Sequence, residues 1–193
     1  MPKVTRWDSY FFRICGVVAS NSRCLSRKIG AVIAKNNRVL ATGYNGPAAG
    51  VGHCDERFRK DSTIIEQLRV KGIMTPEHPV CPRRFLGFES GEGKKYCVAG
   101  HAEQNCITNA ARYGTCLDGA TMYVGCPIPC SSCLNAIINA GIVEVVCTHF
   151  EVYDVPSFWI LKTAPLKVRN YEGLLYSSDG ALLYNETKDG NDA

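Results

Sequence analysis

Residues 121–148 read TMYVGCPIPCSSCLNAIINAGIVEVVCT, and this stretch decides the fold class. Thr121 to Val124 has the β-branched and aromatic composition of a short strand. Cys130 to Ala140 carries apolar residues at helical spacing and is closed by Gly141, after which Ile142 to Thr148 is a Val-rich strand. Pro156 sits early in a further helix running to about Lys162, followed by Leu166 to Tyr171 as another strand. A helix between those last two strands implies a parallel crossover.

Upstream of this stretch, Trp7 to Asn21 repeats Phe11, Ile14, Val17 and Val18 at helical spacing. Ile29 to Lys35 and Arg38 to Tyr44 flank Asn36-Asn37 and read as a hairpin. His101 to Tyr113 reads as a helix stopped by Gly114. The sum is one α/β domain over 1–171: a three-layer α-β-α arrangement on a mixed five-stranded sheet whose last two strands are parallel. In the tail, 172–193, Leu174-Leu175-Tyr176 and Ala181 to Tyr184 flank Ser177 to Gly180 as a C-terminal hairpin, read as an edge extension of the sheet. Between them, 46–100 lacks periodicity apart from a short helical segment at Ser62 to Val70. So long an unpatterned stretch in one domain points to an insertion that is functional or tied by metal.

Composition narrows the classes. The 193 residues are 46% hydrophobic and 21% charged, which suits a packed core and excludes disorder. A net charge of +4 is too small for a nucleic-acid duplex partner but accommodates a small anionic substrate. No apolar run has the length of a membrane span, and the apolar segment near Tyr10 to Ala19 lacks the form of a signal peptide, so a cytoplasmic location is expected. Eleven cysteines, an odd number, fit metal ligation plus buried thiols better than a disulfide framework.

The chemistry concentrates in His101-Ala102-Glu103 and Pro129-Cys130-Ser131-Ser132-Cys133. One imidazole and two thiolates hold zinc and leave its fourth position open to water, while Glu103, a carboxylate outside the ligand set, is left to move protons. His101 and Cys130 both fall at helix starts, where the helix dipole favours anionic ligands and lowers thiol pKa values. Two positions along a helix are about 200° of rotation, so His101 and Glu103 converge only if the helix terminus redirects them. The pattern H-x-E with P-C-x-x-C is that of zinc nucleobase deaminases.

With those residues in place the chain resembles the deoxycytidylate (dCMP) deaminase family of cytidine-deaminase-like zinc hydrolases. The resemblance also rests on Ile29-Gly30-Ala31-Val32-Ile33, Thr42-Gly43-Tyr44-Asn45-Gly46 and His53-Cys54-Asp55-Glu56. It implies hydrolysis of a cyclic amidine C–N bond, converting dCMP to dUMP and ammonia in pyrimidine deoxynucleotide metabolism. It also implies catalytic zinc on His101, Cys130 and Cys133, Glu103 as proton shuttle, Asn45 at the sugar, and the Ala102 N–H at the pyrimidine carbonyl. A second, structural zinc is expected on Cys24, His53, Cys54 and Cys97, with Cys81 competing with His53 for the fourth place. A homo-oligomer such as a hexamer, dCTP and dTTP as effectors, Mg2+ with an effector triphosphate, and Arg112 at its phosphate complete the expectations. Gly125 to Cys130 departs from the family pattern in Cys126 and Pro127, and His149 to Asp154 departs from its polar, tyrosine-rich loop. Alternative readings keep the chemistry with cytidine, a guanine-type base or tRNA adenosine as substrate, or remove it in a zinc-stabilised binding module.

Overall fold

The computed structural model describes residues 6–74, 77–89, 92–152, 154–171, 174–176 and 182–185. Helix α1 (Arg6–Ser20) leads into the hairpin β1 (Gly30–Lys35) and β2 (Arg38–Tyr44). Next come α2 (Cys54–Lys60), α3 (Ser62–Val70), α4 (Pro82–Phe85) and a 3-10 turn at Lys94–Tyr96. The remaining order is α5 (Ala102–Arg112), β3 (Thr121–Val124), α6 (Ser131–Asn139), β4 (Glu144–Cys147), α7 (Val155–Thr163), β5 (Lys167–Asn170), β6 (Leu174–Tyr176) and β7 (Leu182–Asn185).

Among the described residues all the strands join one sheet in the order β2-β1-β3-β4-β5-β6-β7. The pairs β3-β4 and β4-β5 are parallel; β1-β2, β1-β3, β5-β6 and β6-β7 are antiparallel. The expected five strands are therefore the first five of seven, because the C-terminal hairpin continues the sheet beyond β5. The connecting stretch, 177–181, lies outside the described residues. At the first hairpin Asn36 and Asn37 both take positive φ, 52° and 61°, the backbone that a two-residue turn between right-twisted strands requires.

Strand alternation sorts the core into two faces. Val32, Ala34, Tyr123 and Val146 meet Phe11 and Cys15 of α1. Ala31, Ile33, Met122, Val124, Val145 and Val168 instead meet Cys106 of α5, Leu134 and Ile137 of α6, and Leu161 of α7. One helix covers one face and three cover the other, which is the three-layer arrangement.

The insertion is more regular than its sequence pattern. Its helices enclose an apolar cluster of their own: Phe58, Ile64, Leu68, Leu86 and Tyr96. Asp61 caps α3 by accepting the N–H groups of Thr63 and Ile64 at 3.0 and 3.3 Å.

The α1 face also carries a buried polar network. Arg169 of β5 donates to both carboxylate oxygens of Asp8, at 2.7 and 3.1 Å, and to Glu144 at 3.2 Å. The Tyr123 hydroxyl donates to Asp8 at 3.0 Å. Burial and the negative charge of Asp8 push the Tyr123 phenol well above its ordinary range.

A candidate metal centre at two helix starts

His101 and Cys130 are not the first residues of their helices but the caps that precede them. His101 (φ −74°, ψ 153°) caps α5, and Cys130 (φ −66°, ψ 164°) caps α6. An extended cap residue lies outside the helical rotation, so the 200° separation from Glu103 no longer applies. Cys133 stands at the third helical position of α6, one turn beyond Cys130, so the two thiols share a helix end.

The three ligand atoms converge. His101 Nδ1 lies 3.4 Å from Cys130 Sγ and 3.3 Å from Cys133 Sγ. Zinc–nitrogen and zinc–sulfur bonds of about 2.0 and 2.3 Å at a tetrahedral angle place N and S about 3.5 Å apart. The donor set therefore fits zinc in chemistry and in spacing. Among the described residues it is the one group of three such side chains whose ligand atoms all lie within 4.8 Å of one another. Hydrogen bonds from Cys133, His101 and Ser132 hold the Cys130 thiol far below its ordinary pKa, while the bond to Cys130 pushes Cys133 up. The hydrogen bond with Cys130 also raises the pKa of His101.

Glu103, 4% exposed, lies in the first turn of α5, within electrostatic reach of His101 and Cys130. Burial raises its carboxyl pKa, against a lowering by its own backbone and by His101. A buried carboxyl with a raised pKa is suited to carry a proton in both directions. Ala102 is buried beside it, and as the first residue of α5 its N–H has no partner within the helix.

Several contacts fix α5 against the sheet, and none of them was evident from the sequence. A Cβ on Gly43 would come within 2.3 Å of the Cys106 nitrogen and 2.6 Å of the Ala102 oxygen, so β2 and α5 approach this closely only with glycine there. Asn105 Nδ2 donates to the Tyr44 carbonyl at 2.8 Å, and Asn109 Nδ2 to that of Thr42 at 2.8 Å. The signal available was Asn at 105 and 109, one helical turn apart, opposite a Gly-containing strand.

Other expected residues have backbone partners or positions of their own. Asn45 is 8% exposed; its Oδ1 accepts the Ile29 N–H at 2.8 Å and its Nδ2 donates to the Arg27 carbonyl at 2.9 Å. In this geometry it holds the chain that enters β1. Arg112 ends α5, about 15 Å of helix rise from Ala102, so it is remote from the metal ligands. Cys126 stays out of the ligand group: its thiol donates to the Pro127 carbonyl at 3.3 Å, and burial pushes its pKa up. Ile128, 1% exposed, anchors that segment in the core.

The second cysteine group gathers without closing. Cys24, His53, Cys54, Cys81 and Cys97 line one pocket with Arg23 and Arg83. Burial, followed by the neighbouring thiols of Cys97 and Cys81, pushes the Cys54 thiol up to about 11. Cys81 and His53, the two candidates for the fourth place, both line the pocket.

Comparison with known proteins carries the site further. A family model described as the cytidine and deoxycytidylate deaminase zinc-binding region matches residues 5–149. The deoxycytidylate deaminase of Enterobacteria phage T2 is 35% identical over 175 residues, covering 84% of this chain and 90% of its own. That of phage T4 is 36% identical over 175 residues, covering 84% and 88%. The fold is similar to the crystal structure of the dCMP deaminase of cyanophage S-TIM5 in complex with dCMP and dUMP, with a TM-score of 0.56. That match has 22% identity and covers 84% of this chain and 94% of the other.

Fold and site together define a zinc-binding protein of the α-β-α deaminase type. More particularly, the chain belongs to the cytidine and deoxycytidylate deaminase family. No helix among the described residues is long and apolar enough to cross a membrane.

Proposed function

We propose that the protein hydrolyses dCMP to dUMP and ammonia. The observation that carries the reading is the buried Glu103 carboxyl against a ligand set of one imidazole and two thiols. Zinc bound there supplies Lewis-acid activation of water. Glu103 accepts the proton that water gives up, passes it to the ring nitrogen of the base, and delivers a proton to the departing amine. Water adds at the amine-bearing carbon and the C–N bond breaks, so the products are the carbonyl compound and ammonia. The Ala102 N–H faces the same helix end and is the donor for the pyrimidine carbonyl. The phage relatives, named deoxycytidylate deaminases and similar over most of the chain, support the nucleotide as substrate.

The experiment is ammonia release across dCMP, deoxycytidine, cytidine, guanine and a tRNA anticodon stem. Turnover of dCMP at least tenfold above every other substrate is expected. Equal or faster release from a nucleoside or free base would move the assignment to that substrate.

The same proposal includes a second, structural zinc at the insertion. The ligands are Cys24, Cys54 and Cys97, with Cys81 or His53 in the fourth place; all line one pocket. Cys81 is favoured, because its thiol is among those that act on Cys54. Four ligands would close this site, in contrast to the three at His101. Assembly as a homo-oligomer, with dCTP and dTTP acting at the exposed Arg112 end of α5 and Mg2+ accompanying the triphosphate, belongs to the proposal through the family alone.

A further inference from the structure

Asp154 and Ser157, at the start of α7, grip the peptide that carries the first thiol ligand. Asp154 Oδ1 accepts the Ser157 N–H at 2.7 Å, which caps α7. Its other oxygen, Oδ2, accepts the N–H of Ser131 at 3.0 Å. Ser131 is the first residue of α6 and directly follows Cys130. Ser157, 2% exposed, donates its hydroxyl to the Pro129 carbonyl at 3.5 Å. The peptides on both sides of Cys130 are therefore held by one helix start, through an acceptor on the far side and a donor on the near side.

We infer that Asp154 is a positioning residue for the catalytic centre, fixing the direction of the Cys130 thiol by holding the Ser131 N–H. The Cys130 side chain leaves an extended backbone whose angles are set by its two flanking peptides. A helix start alone would leave the Ser131 N–H without an intrahelical partner and free to seek another acceptor. With both carboxylate oxygens engaged, α6 and α7 share one anion, and the ligand peptide cannot rotate without breaking a charge-assisted hydrogen bond. Groups that orient metal ligands in this way typically govern metal affinity or activity by about 10–100-fold. The departure of the 149–154 loop from the family pattern thus ends in a residue whose task lies with the thiol ligand.

The inference rests on the proposed deaminase reading for its kinetic consequence, and zinc retention tests it separately. Asp154→Ala removes both acceptors. Asp154→Ser keeps a cap for α7 but is too short to reach Ser131 as well, so it separates helix capping from ligand positioning. In the zinc-loaded, full-length protein, Asp154→Ser is expected to melt within about 2 °C of the parent. It is also expected to release zinc to a chelator about 10–100-fold faster. The d–d absorption of the cobalt-substituted form should shift, and kcat for dCMP should fall at least tenfold with KM nearly unchanged. Parental zinc release and an unshifted cobalt spectrum in Asp154→Ser would overturn the inference. A parent protein inactive on dCMP would instead overturn the substrate reading and leave the zinc-release result to decide this one.

Discussion

The two cysteine-rich regions place their ligands in the same kind of position and reach different ends. In the catalytic layer, His101 and Cys130 cap α5 and α6, each anchored on a sheet whose inner face is packed with aliphatic side chains. In the insertion, His53 caps α2, Cys54 opens it, Cys81 caps α4 and Cys97 follows a 3-10 turn. The helices there have seven, nine and four residues and pack on a small apolar cluster of their own. The ligand atoms of the first group converge, whereas those of the second line a pocket without closing on one point. Helix ends aim side chains; a continuous core behind them decides whether the aim is fixed before metal arrives. The His101, Cys130 and Cys133 trio is preorganised, whereas the structural zinc proposed for the insertion would itself draw its ligands together.

The largest effect that sharpens this contrast concerns what fixes the catalytic layer from behind. Arg169→Met deprives Asp8, 1% exposed, of its guanidinium partner and leaves a carboxylate buried on the α1 face. The expected loss is about 3–5 kcal/mol in urea unfolding, with the Asp8→Leu/Arg169→Met double variant recovering part of it. A single variant within 1 kcal/mol of the parent would show that the sheet does not depend on this network.

A smaller, more local effect is expected from Cys54→Ser. It lowers zinc content from two ions per chain to one and lowers the melting temperature. Turnover at the other site stays within about threefold, because the two ligand groups share no residue. Retention of both ions, or a parent chain that holds only one, would remove the second metal from the account.

These contrasts also explain what could be read in the sequence. Thr121 to Cys147 was legible because strand, helix and strand each run long enough to show a period, and Gly141 marks the helix end. The same holds for the Asn36-Asn37 hairpin and for α3, whose bounds coincide with Ser62 to Val70. Helices α2 and α4 were not legible: at seven and four residues they complete too few turns for a 3.6-residue pattern to appear. At the site, residue types singled out His101, Cys130 and Cys133, whose ligand atoms the fold gathers, and Glu103, which it buries. Asp154 and Ser157 were invisible because their partners are backbone N–H and carbonyl groups, which any sequence supplies. Asn45 was legible as important, but its hydrogen bonds run to the backbone of Arg27 and Ile29. Short polar segments of this kind take their role from tertiary contacts that no local pattern encodes.

The central claim is that Glu103 is the proton carrier of a zinc-dependent dCMP deaminase, and one paired measurement tests it. Ammonia release from dCMP is followed for the zinc-loaded parent and for Glu103→Gln, with zinc content and melting temperature recorded alongside. A loss of about 10²–10⁴-fold in kcat is expected, with catalytic zinc and fold retained. Turnover by Glu103→Gln at the parental rate would contradict it.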